Sequence, residues 1–181
     1  SNVLHEFILS ETNEFFPEIL CQHMNPGHTI EDMWFAYEAA ALCGESKWNE
    51  KIPAIAKKAI ENGWDEEFGG ILHFSGVRGG EPLGDVTGVE NETMLKQLSD
   101  WGSKLWWVHS EAMYTNLLMY CYTGDDAYWT LFKKVFDYTY KTFPNPDREI
   151  REWIQIRTRE GKPQEKVVAL PVKDPYHIIR N

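Results

Sequence analysis

Four segments of the sequence repeat apolar residues with the period of an α-helix, and they fall into two pairs. The first pair spans residues 28–43 and 48–62, and the second pair spans residues 104–122 and 127–142. Each segment is followed by glycine or proline, which end helices. Two amphipathic helices joined by a short turn pack against each other, so the pattern predicts helical hairpins and an all-α fold.

Shorter segments between these helices indicate extended structure. Residues 3–9 are β-prone, and residues 71–74 follow a glycine-rich turn, so we expect the second segment to form one strand of a small hairpin. Residues 152–159 alternate apolar and polar side chains, and residues 166–170 are expected to pair with them as a second hairpin. Residues 80–100 lack periodicity, which predicts a loop.

The charge and the cysteines exclude several classes of function. The 181 residues include 18 basic and 28 acidic side chains, and the formal net charge of −10 disfavours nucleic acid and anionic membranes as partners. No apolar run has the length of a membrane span. Three scattered cysteines fit neither a disulfide framework nor a zinc site, and they favour a reducing compartment. The sequence therefore predicts a soluble cytoplasmic protein.

No metal or cofactor is expected. The histidines lack the local spacing of a helical zinc site. The glycine-rich residues 76–88 lack the lysine and following hydroxyl residue of a phosphate-binding loop, so this stretch does not support a nucleotide site.

The segment KLWWVHSEAM at residues 104–113 is the strongest functional signal. On a helix, Trp107, Glu111 and Tyr114 lie on one stripe, so a carboxylate stands among aromatic rings. Indole faces cover the C–H faces of a sugar ring, and carboxylates accept hydrogen bonds from its hydroxyls. The segment fits a sugar pocket, and it fits equally well a helix with core tryptophans and a surface Glu111.

His28 is a candidate for acid–base chemistry. It follows an Asn-Pro-Gly turn at the start of a predicted helix, and Glu31 lies three residues later on the same face. A neighbouring carboxylate orients an imidazole and fixes its tautomer, and an ordinary pKa near 6.5 lets the ring accept or donate a proton near neutral pH. The alternative is a structural histidine beside a first-turn acid, which is favourable there for electrostatic reasons alone.

Several stretches resemble the N-acylglucosamine 2-epimerase family, which includes renin-binding protein. They are NPGHTIEDMWF at residues 25–35, KLWWVHSEAM at 104–113 and YHIIR at 176–180. GWDEEFGGILHF at residues 63–74 and EWIQIRTREGKP at 152–163 are similar to connecting segments of that family, in the same order. The resemblance therefore extends over nearly the whole chain.

The resemblance implies an (α/α)6 barrel of roughly twice this length. Residues 1–181 would form one partial domain, the C-terminal half of that barrel, with the N-terminal half absent. Its helical hairpins would be joined by short β-hairpin loops. Members of the family interconvert sugars at C2, or isomerise aldoses and ketoses, without a metal.

The resemblance also implies roles for individual residues. His28 and His177 would be the catalytic acid–base pair, and Glu111 and Arg180 would contact the substrate. Either Arg180 or Lys104 is suited to stabilise the charge that builds on the carbonyl oxygen. The remaining residues of the expected substrate-binding set are Glu31, Trp34 and Trp107. His109 lies on another stripe of its helix and is expected to belong to the core or to support the site from behind.

The expected function is that of a sugar 2-epimerase of the N-acylglucosamine/N-acylmannosamine type, and other functions stay open. An aldose–ketose isomerase or a cellobiose-type epimerase would use the same enediolate. A glycoside hydrolase on an (α/α)6 barrel would instead use paired carboxylates, which could come from Asp65, Glu66, Glu67 and Glu111. An inactive sugar-binding fragment is the third alternative. The expected partners are a small sugar and, through exposed apolar helix faces, a second copy of the chain.

Overall fold

The computed structural model describes residues 2–166 and 175–178. Within these residues the α-helices are, in chain order, α1 (Ile19–Gln22), α2 (Pro26–Cys43), α3 (Lys51–Gly63), α4 (Thr93–Leu98), α5 (Trp106–Thr123) and α6 (Asp126–Thr142). A 3-10 turn at Ser46–Trp48 links α2 to α3. The four predicted helices are thus confirmed with small differences at their ends, whereas α4 corrects the prediction of a loop at residues 80–100.

Capping residues explain where the long helices begin and end. Asn25 caps α2, since its side-chain oxygen accepts the backbone N–H of His28 at 3.2 Å. Pro26 occupies the first turn, where its missing N–H costs nothing. Gly44 caps the C-terminal end of α2 and Gly124 caps that of α5, and both adopt a left-handed backbone conformation, with φ of 71° and 68°.

The strands are two residues long and pair over long sequence distances. Strand β1 (His23–Met24) pairs antiparallel with β2 (Ser75–Gly76), and β3 (Lys104–Leu105) pairs antiparallel with β4 (Ile156–Arg157). The two predicted local hairpins appear only as single antiparallel bridges, between Trp64 and Ile71 and between Arg157 and Pro163, and the strands themselves pair over long distances. Alternation of apolar and polar residues reports which side of a strand is buried, and it does not identify the partner strand.

The other extended predictions have different outcomes. Residues 3–9 lie in the described part of the chain and contain no strand. Residues 167–170, which were expected to complete a hairpin, lie outside the described residues. Among the described residues, no helix is both long enough and apolar enough to cross a membrane.

Helix α2 packs against α3 and α5, and α5 packs against α6. The buried cluster that joins them consists of Met24, Ile30, Ala59, Ile60, Ile71, Leu105, Val108, Ala112, Met113, Val135 and Ile156. A second cluster, farther along α2, includes Met33, Trp34, Tyr37, Ala56, Met119 and Tyr128. The N-terminal ends of α2 and α5 meet above the first cluster, which is where the candidate site lies.

Lys104 belongs to a buried ion-pair network. Its side chain is fully buried, and Nζ lies 3.2 Å from Oδ2 of Asp65 and donates to the carbonyl oxygen of Arg159. Asp65 also accepts Nε and Nη2 of Arg159 at 3.0 and 3.1 Å. Burial lowers the pKa of Lys104, and the Asp65 carboxylate opposes that shift. The expectation that Lys104 contacts a sugar is corrected, because its amino group is enclosed by protein partners.

We expect Asp65→Asn to destabilise the fold strongly. The variant leaves the Lys104 cation buried without a carboxylate, which costs about 3–5 kcal/mol in comparable pairs. Urea denaturation at neutral pH measures the free energy of unfolding. The matched control is Glu66→Gln, because the Glu66 side chain is 82% exposed and lies 3.7 Å from Lys134 Nζ. Equal losses in the two variants would contradict this role for Asp65.

Candidate active site

A glycine lets the start of α2 approach α5 closely. A Cβ atom at Gly27 would lie 2.6 Å from the side chains of both Trp107 and Val108, so a larger residue cannot occupy this position without a shift. The next residue is His28, and its ring stacks on Trp107 with 5.8 Å between the ring centroids. The close approach of the two helices therefore places the first predicted catalytic histidine against an indole.

His177 contacts the same indole. Its ring centroid lies 5.2 Å from that of Trp107 and 5.9 Å from that of Trp106. The Ser110 hydroxyl donates to the carbonyl oxygen of His177, which attaches residues 175–178 to α5. The structure thus brings together two histidines that are far apart in sequence.

Glu111 holds His177 in one orientation. The Glu111 side chain is fully buried, and its Oε1 lies 2.7 Å from Nδ1 of His177. Its Oε2 accepts a hydrogen bond from Nε1 of Trp34 at 2.8 Å. A carboxylate oxygen at 2.7 Å fixes the orientation of the His177 ring and directs Nε2 away from Glu111. Glu111 is therefore placed to position His177, and the alternative of a surface ion pair is wrong.

Glu31 faces His177 rather than His28. Its Oε1 lies 3.9 Å from Nδ1 of His177. Burial raises the pKa of Glu31, and the nearby Glu111 carboxylate raises it further. The expectation that Glu31 orients the His28 ring is corrected, because the carboxylate in contact with that ring is Glu6, whereas Glu31 contacts His177.

Glu6 is the partner of His28 that the sequence did not reveal. Its Oε2 lies 3.8 Å from Nδ1 of His28, and its Oε1 accepts the backbone N–H of Asn25 at 3.3 Å. The contact with Glu6 raises the pKa of His28 against the opposing effect of burial, and Asp32 and Glu31 add to the rise. No periodic pattern in residues 3–9 marks Glu6, so only the tertiary fold identifies it.

A hollow of about 370 Å³ opens beside these groups. This volume falls within the roughly 300–1,000 Å³ that is typical of small-molecule sites. The residues that line it are Leu4, His5, Glu6, His28, Glu31 and Asp32. The hollow is therefore large enough for a small ligand, and its lining includes the ring of His28 and three carboxylates.

The other predicted site residues lie elsewhere. Arg180 lies outside the described residues. His109 is fully buried, its Nε2 accepts the backbone N–H of Ile71 at 2.9 Å, and burial lowers its pKa to about 3. His109 is therefore a core residue, as expected.

The carboxylates proposed for a hydrolase are already in ion pairs. Glu67 lies 3.2 Å from Nη2 of Arg159, which also binds Asp65, and Glu66 lies 3.7 Å from Nζ of Lys134. Asp65 is buried, so it does not face a cleft. Asp65, Glu66 and Glu67 therefore supply no pair of opposed carboxylates for glycosidic bond cleavage.

One group of side chains has the geometry to hold a metal ion. Donor atoms of Glu31, Glu111 and His177 all lie within 4.8 Å of one another. Carboxylate and imidazole are common ligands of divalent metals. Nδ1 of His177 and Oε1 of Glu111 lie 2.7 Å apart, so the same groups also have the geometry of a hydrogen-bonded acid–imidazole pair.

The chain matches a known protein family over most of its length. The family model described as N-acylglucosamine 2-epimerase (GlcNAc 2-epimerase) matches residues 10–181. N-acylglucosamine 2-epimerase of Mus musculus is 35% identical over 173 residues, which cover 95% of this chain and 38% of the mouse protein. The chain thus spans well under half the length of this relative, which corrects the expected share of one half.

Solved structures show the same fold. A sugar epimerase from a ruminal bacterium superposes with a TM-score of 0.67 at 20% identity, over 97% of this chain and 39% of that one. Cellobiose 2-epimerase from Bacillus thermoamylovorans B4167 superposes with a TM-score of 0.62 at 23% identity, over 86% of this chain and 35% of that one. Both are (α/α)6 barrels, so the chain is part of such a barrel.

We expect Glu6→Gln to lower the pKa of His28 toward its ordinary value, because the Glu6 carboxylate is the largest cause of its rise. NMR titration of the ring signals measures this pKa. Asp32→Asn is the matched control and should give a smaller decrease, since Asp32 contributes less. Equal shifts would contradict the assignment.

The same pair makes stability depend on pH. Because folding raises the pKa of His28, the pair stabilises the fold fully below the pKa of an unfolded histidine, and this stabilisation is lost as pH rises through the folded pKa. Wild-type protein should therefore lose more stability than Glu6→Gln across that interval, which thermal unfolding at several pH values measures. An identical pH dependence of the two proteins would exclude this contribution.

Proposed function

The chain belongs to the N-acylglucosamine 2-epimerase family, and on this basis we propose that its site transfers protons at C2 of a sugar. The whole protein is then a sugar 2-epimerase of the N-acylglucosamine/N-acylmannosamine type. The observation that carries the proposal is the contact of both His28 and His177 with Trp107, with His177 held by Glu111.

The proposed reaction proceeds through an enediolate. In the open-chain sugar the aldehyde makes the C2 proton acidic, so one imidazole removes it and the C2 electron pair moves toward the carbonyl oxygen. The second imidazole then returns a proton to the opposite face of C2. Each positioned acid or base contributes roughly 10²–10⁴-fold to the rate.

The proposed roles of the two histidines, one as base and one as acid, require different starting protonation states. In the neutral His177 ring, Glu111 keeps the proton on Nδ1, so Nε2 has the lone pair of a general base. The raised pKa of His28 favours its protonated form, which is the form of a general acid. For the reverse reaction the two residues exchange roles.

Aromatic and acidic groups are proposed to bind the sugar. Trp107 offers an indole face between the histidines, and Glu31 offers a carboxylate that accepts hydrogen bonds from hydroxyls. Trp34 donates a hydrogen bond to Glu111 and is proposed to act on the sugar site indirectly, through that carboxylate. Arg180 remains a predicted substrate contact.

An aldose–ketose isomerase is the alternative function with the same machinery. It shares the enediolate and differs only in the carbon that receives the returned proton. A cellobiose-type epimerase differs in the substrate and keeps the reaction at C2. Glycoside hydrolysis is disfavoured by the ion pairs of Asp65, Glu66 and Glu67. A binding fragment without turnover would retain the pocket and show no proton exchange.

The remaining proposals concern the state of the protein. We retain residues 1–181 as one partial barrel domain. Cys21, Cys43 and Cys121 are all unpaired thiols, which supports a reducing compartment such as the cytoplasm. Pairing of two copies stays a prediction, and so does any likeness to renin-binding members of the family.

We expect the whole protein to exchange the C2 proton of a reducing sugar for deuterium in deuterated water. His28→Asn and His177→Asn should each reduce net epimerisation at least about 100-fold, because one of the two proton-transfer groups is lost. NMR follows both the deuterium at C2 and the product.

Exchange in the single variants gives a sharper readout. If the two histidines serve opposite faces of C2, each variant retains exchange with only one of the two epimers. A ketose product would indicate the isomerase alternative. Full epimerisation by either variant would exclude that histidine from the proposed pair.

We expect EDTA to leave turnover unchanged. The proposed chemistry needs only imidazoles, and Glu111 binds His177 and Trp34 through hydrogen bonds. Activity is measured before and after chelation, and after re-addition of Mg²⁺, Mn²⁺ or Zn²⁺. Loss with EDTA and recovery with one metal would show that Glu31, Glu111 and His177 act as metal ligands.

A further inference from the structure

A second cleft lies beside the C-terminal end of α6. It has a volume of about 520 Å³ and shares no lining residue with the hollow at His28. Its polar lining residues include Tyr138, Lys141, Arg157 and Glu160. The epimerase mechanism uses none of them, so the cleft calls for a separate explanation.

Arg157 is a buried cation in the wall of this cleft. Only 5% of its surface is exposed, and its Nη2 makes one long contact of 3.4 Å with the carbonyl oxygen of Phe143. Within residues 2–166 and 175–178, no acceptor reaches its Nε and no carboxylate forms an ion pair with it. A guanidinium stays charged at neutral pH, so this burial is costly unless an anion compensates the charge.

Two further donors face the same space. The Tyr138 hydroxyl is buried, and burial raises its pKa to about 12, so it remains a protonated donor. Lys141 is exposed at the rim and contributes a second cation. The one acid among the described lining residues is Glu160, and its Oε2 already accepts the Thr158 hydroxyl at 2.8 Å. The lining therefore has an excess of positive charge.

This local charge contrasts with the rest of the molecule. The formal net charge of the chain is −10, so the overall field repels anions. The apolar walls of the cleft, formed by Phe68, Pro144, Pro146 and Pro163, keep water away from part of the guanidinium and strengthen its interaction with a ligand.

We propose that this cleft binds the oxyanion group of a small molecule, a phosphate or a carboxylate, with Arg157 as its principal contact. The planar guanidinium can donate two parallel hydrogen bonds to either group. The Tyr138 hydroxyl donates a third, and Lys141 supplies charge from the rim.

Calorimetric titration of the protein with inorganic phosphate, and separately with acetate, tests the proposal at constant ionic strength in chloride. Saturable binding of at least one anion is expected. Arg157→Gln should weaken it roughly tenfold or more, because a charge-assisted hydrogen bond is lost. Arg148→Gln, an exposed arginine outside the cleft, should leave the affinity unchanged. Absence of saturable binding, or equal affinity in Arg157→Gln and wild type, would overturn the proposal.

A second variant covers the case in which Arg157→Gln does not fold. Lys141 is exposed, so Lys141→Gln should fold normally and weaken phosphate binding more than acetate binding, because phosphate carries more charge. If phosphate is the bound group, its affinity exceeds that of acetate in wild type, and the reverse order identifies a carboxylate ligand. If Lys141→Gln binds both anions with the affinity of the wild type, the proposal that this cleft binds the anion is overturned.

Discussion

The contact between the start of α2 and Trp107 is the constraint on which the candidate site depends. Gly27 has no side chain, and this absence allows the helix end to approach the indole closely enough for His28 to stack on it. His177 reaches the same indole from the other end of the chain. One aromatic ring thus sets the separation of two groups that no local sequence pattern connects.

The buried carboxylate of Glu111 orients the ring of His177 within this site. A charged group with no solvent exposure is stable only when its partners satisfy it, and Trp34 and His177 do so through one hydrogen bond to each oxygen. The same contacts that stabilise the carboxylate orient the imidazole. Stability of the fold and orientation of the proposed base therefore depend on the same atoms.

The sequence predicted the features that arise from local physics. Helical periodicity, the Asn-Pro-Gly turn before His28 and the stops at Gly44 and Gly124 identified the four long helices, and the family resemblance paired His28 with His177. Features that depend on tertiary contacts were missed. Lys104 was predicted to contact the substrate, yet its amino group pairs with Asp65 in the interior. Glu6 was not predicted, because it contacts His28 from a segment without periodicity. The partners of the strands could also not be predicted from the sequence, because a strand of two residues is too short to show an alternating pattern.

The pairing of β3 with β4 connects the two clefts of the molecule. Lys104 and Arg157 are partners across this ladder, so the strand that presents Arg157 to the second cleft pairs with the strand that leads into α5. Leu105, the cap residue of α5, lies opposite Ile156 in the same ladder. A displacement of β4 at the second cleft would therefore act, through the ladder hydrogen bonds, on the residues that directly precede the helix bearing Trp107 and Glu111.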